Sequence, residues 1–323
     1  MATILVTGGA GYIGSHCCQR LAALGHVPVV LDNLVRGHRD AVRWGPFAHG
    51  DLRDAAALAG VFAAHRIDAV IHFAALAYVG ESMADPGAYF AANTSGSLTL
   101  LDAMHRAGVR DLVFSSTCAT YGTPERQPIA EDAPQRPVNP YGESKLMVER
   151  LCAWFGRCHG LRWAALRYFN VAGSDPGGAL GERHEPETHL IPNVLRAAAG
   201  GPPVQVFGTD YPTPDGTAIR DYIHVCDLVE AHVLALDRVR GGASGLCLNL
   251  GTGRGASVRE VIAACAAVAG RDVPHAFAPR RAGDPPMLVA DPSRARAELG
   301  WSARYDLRDM VAHAWAFQQA QPR

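Results

Sequence analysis

The stretch Thr3–Gly14, TILVTGGAGYIG, decides the fold. A short apolar strand, Thr3–Thr7, runs into Gly8, Gly9, Gly11 and Gly14, and a helix opens at Tyr12. In the spacing Gly8-x-x-Gly11-x-x-Gly14, glycine permits a tight turn and lets the backbone approach a pyrophosphate. The helix N-terminus adds unpaired N–H groups and a favourable dipole. Asp32, at the end of the next apolar strand, follows Gly8 by 24 residues. A carboxylate there hydrogen-bonds ribose hydroxyls and repels a 2′-phosphate. The expected cofactor is therefore NAD rather than NADP, although Arg36 stands nearby. A bare strand–helix turn would explain the glycines but not an acid in register with them.

Outward from this stretch, apolar strands alternate with helical patterns. A helix is expected over Tyr12–Leu24, ended near Gly25, and a strand over Val27–Leu31. Further strands are expected at Ala69–Phe73, Asp111–Ser115 and Arg162–Tyr168. Helices are expected around Ala55–His65, Tyr89–His105 and Tyr141–Phe155. This alternation predicts an α/β fold, a doubly wound parallel sheet of Rossmann type. After Asn170 the texture changes, and Gly173–Glu187, rich in Gly, Pro, Asp and Glu, reads as loop. Val204–Phe207 and Cys247–Leu250 read as strands; Val225–Val239, Val258–Val268, Ser293–Leu299 and Leu307–Gln318 read as helices. The expected division is an NAD-binding domain over 1–174 and a smaller C-terminal α/β substrate lobe over 175–323, with segments near 220–250 returning to the first.

The 323 residues suffice for one large α/β unit or two interlocked lobes. With 48% hydrophobic and 19% charged residues the composition is that of an ordered globular protein. A net charge of -1 gives no electrostatic footprint for nucleic acid or an anionic membrane. MATILVTGG lacks the pattern of a signal peptide, and no run of ~18 apolar residues is present to span a bilayer. A cytoplasmic protein is expected, with neither nucleic acid nor membrane as partner. Eight cysteines are scattered without a CxxC pair and read as small buried or half-buried thiols.

The second informative stretch is YGESK, residues 141–145. On a helix, Tyr141 and Lys145 lie one turn apart on the same face. A lysine ammonium there stabilises a tyrosinate and lowers the phenol from its usual pKa of about 10. Such a phenol takes a proton from an alcohol while a hydride leaves the same carbon. Ser115, Ser116 and Thr117 end a strand on the ligand-facing edge, where a hydroxyl can bridge substrate and tyrosine. Asp51 and Leu52, and Phe73, Ala74 and Ala75, fall at strand ends as well, although Asp51 alone would more often be a helix cap. His184 and His189, with Glu182, Glu185 and Glu187, superficially resemble metal ligands. They lack a helical HExxH spacing and lie in a Pro-containing loop, so no metal is expected.

The segments VTGGAGYIGSH, DNL, HFAA, VGES, FSSTCATYG, NPYGESK, RYFNVAG, DGTAIRDYIHV, NLGTG and RRAGDPP follow in order. Together, from residue 3 to about residue 301, the chain resembles the UDP-glucose 4-epimerase (UDP-galactose 4-epimerase) family of extended short-chain dehydrogenase/reductases. RDYIHV and RRAGDPP are more specific than the glycine loop. The resemblance implies reversible inversion at carbon 4 of a UDP-hexose through a 4-keto sugar, with NAD retained. It implies that Tyr141 is the base, that Lys145 binds the nicotinamide ribose and keeps Tyr141 ionised, and that Thr117 relays the proton. Tyr12, Ile13, Asn33, Asn93 and Phe169 complete the expected cofactor set. For the substrate, the resemblance implies Asn170, His189 and Leu190 near phosphates and uracil, and Phe207 against the uridine. It places Arg220 and Arg281 on the diphosphate, where a planar guanidinium binds bidentately, and Asp284 on the uridine ribose. Without the resemblance, Arg220-Asp221 would read as a surface ion pair. A homodimer built on the helices at Tyr89–His105 and Tyr141–Phe155 is also implied.

The chain departs from the family pattern in a few places. Ala77 stands where some members carry a lysine near the cofactor, which would loosen NAD. Thr117 replaces a commoner serine and stiffens χ1. Leu288 holds the gate position and, being intermediate in size, implies a preference for UDP-glucose and UDP-galactose over N-acetylated sugars. Cys118 beside the reacting hydroxyl has no account. A 4,6-dehydratase would need an acid–base pair after Thr117, where Cys118 and Ala119 stand. Epimerisation of a UDP-pentose stays open. A non-catalytic NAD sensor would be expected to lack the tyrosine or the lysine.

Overall fold

The computed structural model describes residues 1–281 and 283–321. The first strands are β1 (Thr3–Thr7), β2 (Val27–Asp32), β3 (Phe47–His49), β4 (Ala69–His72), β5 (Asp111–Thr117) and β6 (Arg162–Tyr168). They are followed by β7 (Asn170–Ala172), β8 (Val204–Phe207), β9 (Ile219–His224), β10 (Leu246–Leu250), β11 (Gly255–Ser257), β12 (His275–Ala278) and β13 (Met287–Leu288). One parallel sheet has the order β10-β6-β5-β4-β1-β2-β3. The order reverses between β1 and β4, and ligands of open α/β sheets lie at the strand C-termini beside such a point. Register aligns those ends: Thr7 pairs with Leu31 and His72, and Thr117 with Tyr168.

The sheet is buried on both faces, so its central strands carry continuous apolar runs, such as Ile4–Val6, Leu112–Phe114 and Ala164–Leu166, rather than alternating. In β1, Ile4 and Val6 join one core and Leu5 the other. The first core takes Cys17 and Leu21 of α1 (Tyr12–Ala23), and the second takes Leu58 and Val61 of α2 (Ala55–Ala64). Beyond α2 come α3 (Val79–Ala84), α4 (Pro86–Tyr89), α5 (Gly96–Arg106) and α6 (Pro140–His159). Leu100 and Met104 of α5 and Val148 of α6 fill the second core. The expected single helix over 89–105 is interrupted by a π-helical turn, Phe90–Ser95. β3 was not foreseen, being three residues at the sheet edge and too short for a periodic signal.

The remaining helices are α7 (Leu190–Ala198), α8 (Val225–Arg240), α9 (Val258–Ala269), α10 (Ser293–Leu299) and α11 (Leu307–Ala320). Leu228, Val229 and Leu236 of α8 pack into the first core of the main sheet, and β10 is its last strand. A separate core joins α7, α9 and α11 through Val194, Val261 and Met310. Around it lie a small sheet of β11-β9-β13, with β7 also on β9, and the β8–β12 pair. α7 and β9 escaped the sequence reading; Arg220 and Asp221 interrupt the apolar run of β9.

Candidate active site

One cavity of about 1700 Å³ runs along the C-terminal edge of the main sheet to the start of α7 and strands β8 and β9. A pocket for a single drug-sized ligand measures roughly 300–1,000 Å³, so two ligands fit end to end. All residues expected at the site line it, with one exception.

At the cofactor end, Gly8 has φ +72°, and a side chain there would meet the Ala74 nitrogen at 2.6 Å. A side chain at Gly14 would run into the Gly8 carbonyl. The loop therefore needs glycine to fold onto the sheet. No side chain caps α1 at Gly11, which leaves its first-turn N–H groups for a ligand. Asp32 accepts from the nitrogens of Ala10 at 3.0 Å and Leu34 at 2.8 Å. Burial raises its carboxyl pKa, against those two bonds. Asn33 donates to Asp51 at 2.8 Å, and Arg53 clasps Asp51 and holds its pKa well below the usual range. Asp51 is thus a braced group at the cavity rather than a helix cap; Asp54 caps α2. Arg36 is committed to Glu81 at 2.8 Å and to the Glu185 carbonyl. A glycine cradle, a carboxylate at the strand end and a diverted arginine fit NAD better than NADP. Ala77 lines the same cavity.

Asn93 is the exception. It is buried, and its amide donates to the Leu76 carbonyl at 3.0 Å and to Ser144 Oγ at 3.0 Å. Its oxygen accepts from the Leu76 nitrogen at 2.8 Å. With its amide so engaged, Asn93 stands behind the cavity wall rather than in its lining. It sits in the π-helical turn that breaks the expected long helix.

The reaction centre joins β5 to α6. Successive strand residues face opposite ways, and the three hydroxyls of β5 separate accordingly. Ser115 and Thr117 line the cavity, whereas Ser116 donates at 2.5 Å to the buried Glu149. Glu149 is in turn held bidentately by Arg167 at 2.9 and 2.7 Å. Ser115 shares a short hydrogen bond with Tyr168, a cavity residue that the sequence reading passed over. Asn139 caps α6, accepting from Gly142 at 2.8 Å, and Pro140 starts the helix. Tyr141 therefore stands in the first turn. Burial raises its pKa, and the Thr117 hydroxyl opposes this. Lys145 donates at 2.9 Å to the Ser115 carbonyl and lies 4.9 Å from the Phe114 ring centre. Burial lowers its pKa to about 7. Cys118 lines the cavity too, and burial lifts its thiol to about 12, so it stays protonated and unreactive.

At the far end, Arg220 donates to the carbonyls of Ile219 at 2.8 Å and Pro285 at 3.0 Å. The guanidinium carbon of Arg281 lies 4.0 Å from the Phe207 ring centre. Asp284, Asn170 and Leu190 line the same region, and Leu288 pairs with Arg220 across β13 and β9. Asp221 forms no surface pair with Arg220. It is fully buried and accepts from the nitrogens of Thr252, Gly253 and Ala290, which burial makes necessary. His189 lines the cavity but turns its Nδ1 to Glu182 at 2.6 Å, among a group formed with His184 and Glu187.

Comparison with known proteins gives the site a family. Residues 4–251 match the NAD dependent epimerase/dehydratase family. The chain is 49% identical over 323 residues to a UDP-glucose 4-epimerase of Lacticaseibacillus casei, covering 99% of this chain and 98% of that one. It superposes with TM-score 0.95 on UDP-glucose 4-epimerase from Brucella ovis in complex with NAD, at 51% identity and 98% coverage of both chains. The TM-score is 0.96, at 46% identity, with a UDP-glucose 4-epimerase from Stenotrophomonas maltophila bound to NAD and formylated UDP-arabinopyranose, covering 99% of this chain and 98% of that one. The chain belongs to the NAD dependent epimerase/dehydratase family and is similar along its length to that family's UDP-glucose 4-epimerases.

Proposed function

We propose that the protein interconverts UDP-glucose and UDP-galactose at carbon 4 through a 4-keto sugar, retaining NAD throughout. The observation that carries this is a single cavity shared by the glycine cradle, the Thr117–Tyr141 pair and the two arginines Arg220 and Arg281. Its size suits a dinucleotide and a nucleotide sugar together. NAD, when bound, would supply a nicotinamide ring able to take the hydride of carbon 4 and give it back to the opposite face.

The chain's own groups supply the rest. Arg220 and Arg281 grip the diphosphate, Phe207 covers the uridine and Asp284 takes its ribose. Asn170, His189 and Leu190 form the wall beside them. Tyr141 removes the proton of the 4-hydroxyl, and Thr117 bridges the reacting oxygen to the phenol. Burial disfavours both a tyrosinate and a lysine ammonium, so each charge is best tolerated with the other near it. Lys145 fills that part and donates to the nicotinamide ribose. Gripping the nucleotide while leaving the sugar few polar contacts lets the 4-keto sugar turn over between the two transfers.

Leu288 lies at the sugar end and favours hexoses without an N-acetyl group. The bound formylated UDP-arabinopyranose of the Stenotrophomonas maltophila protein keeps a UDP-pentose as a second reading. Exposed Leu98 on α5 and Trp154 on α6 support a two-fold homodimer through those helices. No helix among the described residues is long and apolar enough to cross a membrane. The reading adopted is a cytoplasmic enzyme of galactose and nucleotide-sugar metabolism. The test is to give the purified protein UDP-galactose without added NAD and assay UDP-glucose. Conversion supports the reading; none, even with NAD supplied, overturns it.

A further inference from the structure

A second group of side chains stands at the cavity rim and moves no proton in the reaction above. Glu182 and His184 come from the irregular segment after β7, Glu187 lies just before α7, and His189 is the residue at which α7 begins. One ligand atom from each lies within 4.8 Å of all the others. Glu182 Oε1 is 2.6 Å from His189 Nδ1 and 3.1 Å from His184 Nδ1. Glu187 Oε1 is 3.3 Å from His189 Nδ1, and its Oε2 is 3.7 Å from His184 Nδ1. Four atoms bonded to one tetrahedral zinc-like ion at ~2.0–2.2 Å stand roughly 3.3–3.5 Å apart. The observed spacing brackets that value.

A second observation separates an ion site from an ordinary ion-paired quartet. Glu182 Oε1, Glu187 Oε2, His184 Nδ1 and His189 Nδ1 are all buried, and none makes a hydrogen bond. The Glu182 side chain is 6% exposed and that of Glu187 0%. A paired quartet would aim each imidazole N–H at a carboxylate oxygen. Here the four Glu–His contacts, at 2.6 to 3.7 Å, are close but none is aligned as a hydrogen bond, and one atom of each residue lies within 4.8 Å of the other three. A buried polar atom left unpaired is unfavourable, and one cation between them would satisfy all four. Imidazole ligands favour zinc and its first-row neighbours over magnesium or calcium. Four protein ligands leave no open position, which marks a structural rather than a catalytic ion.

We propose that Glu182, His184, Glu187 and His189 form a structural site for one zinc-type divalent ion that clamps this segment to the start of α7. The same segment reaches the cofactor side. Arg183 pairs with Asp40 at 2.7 Å, its carbonyl lies 2.9 Å from His38 Nε2, and the Glu185 carbonyl accepts from Arg36 at 2.7 Å. The ion would thus pin a strap that joins the loop after β2 to the second lobe. Nothing in this proposal depends on which sugar the enzyme turns over.

The test uses the full chain without an affinity tag. The protein is stripped with chelator, dialysed against zinc chloride, then against metal-free buffer, and its zinc is measured by mass spectrometry. About one zinc per chain is expected for the unaltered protein, with a higher Tm than the stripped form. At least a tenfold loss of zinc is expected in Glu182→Gln and Glu187→Gln. Zinc at buffer level in the unaltered protein overturns the proposal, as does equal zinc in the unaltered protein and both variants. Should the variants misfold, cobalt(II) added to the stripped unaltered protein decides. Intense visible bands of a tetrahedral nitrogen–oxygen site support the proposal; the weak bands of an octahedral or solvated ion overturn it.

Discussion

Gly142, in the first turn of α6, is so close to Ala119 that a side-chain carbon on it would lie 2.5 Å from the Ala119 carbonyl oxygen. That contact brings the start of α6 against the turn that follows β5. It holds Tyr141, one residue earlier, beside Thr117, two residues before Ala119. The proton-transfer pair is thus positioned by a glycine that touches no ligand.

Gly142→Ala should therefore lower kcat more than it raises KM, because it displaces Tyr141 without removing a nucleotide contact. Overpacking of this kind destabilises by ~1–3 kcal/mol. Steady-state kinetics with UDP-galactose and a thermal melt check both effects. An unchanged kcat would show that the approach of α6 to β5 is not what positions the phenol.

The alternation of β5 makes a sharper contrast. Tyr141→Phe and Thr117→Val should each cost roughly 10²–10⁴ in kcat, the usual worth of a positioned proton-transfer group. Thr117→Ser should retain most activity. Ser116→Ala should leave kcat near that of the unaltered protein but lower stability by ~1–3 kcal/mol, since it takes a hydrogen bond from buried Glu149. The same kinetics and a denaturant titration distinguish the two neighbours.

The difference between those hydroxyls was only partly legible in the sequence. TILVTGGAGYIG and YGESK specify the sheet, the cradle and the dyad because each step of that chemistry needs a particular residue type at a fixed spacing. SST offers three equivalent hydroxyls until β5 is known to run through Thr117. Asn93 sits in a helical pattern whose π-helical turn has no periodic signature. Asp221 reads as a surface acid until β9 is seen to be buried. Glu182, His184, Glu187 and His189 follow no helical ligand spacing, and only the fold of the segment brings their ligand atoms within 4.8 Å of one another.

Acid should destabilise the protein through four buried histidines, His16, His72, His224 and His232. Burial lowers the pKa of His16 and His232 to about 4 and of His72 and His224 to about 3. Each is neutral in the fold but binds a proton when unfolded below about 6.5. Their stabilising contribution is full above that pH and is lost as pH falls toward 3–4. His232→Leu should flatten the stability–pH curve between pH 6 and 4 by up to ~1.4 kcal/mol per pH unit. Urea titrations across that range measure it, and an unchanged slope would show that His232 is not buried neutral.

Leu288 should set the sugar range. Leu288→Ala opens the pocket beside Arg220 and should raise the ratio of UDP-N-acetylgalactosamine to UDP-galactose turnover by ~10–200-fold, the worth of a pocket-size change. Leu288→Tyr should lower it. Comparing kcat/KM for the two substrates tests the assignment, and equal ratios in all three proteins would remove Leu288 from the sugar site.

The hydrogen on carbon 4 should leave and return within one site. UDP-galactose carrying deuterium at carbon 4 would be given to the protein as purified, without added NAD, in ordinary water. UDP-glucose with the deuterium still on carbon 4 is the expected product. Product in which that deuterium has exchanged with solvent would contradict it.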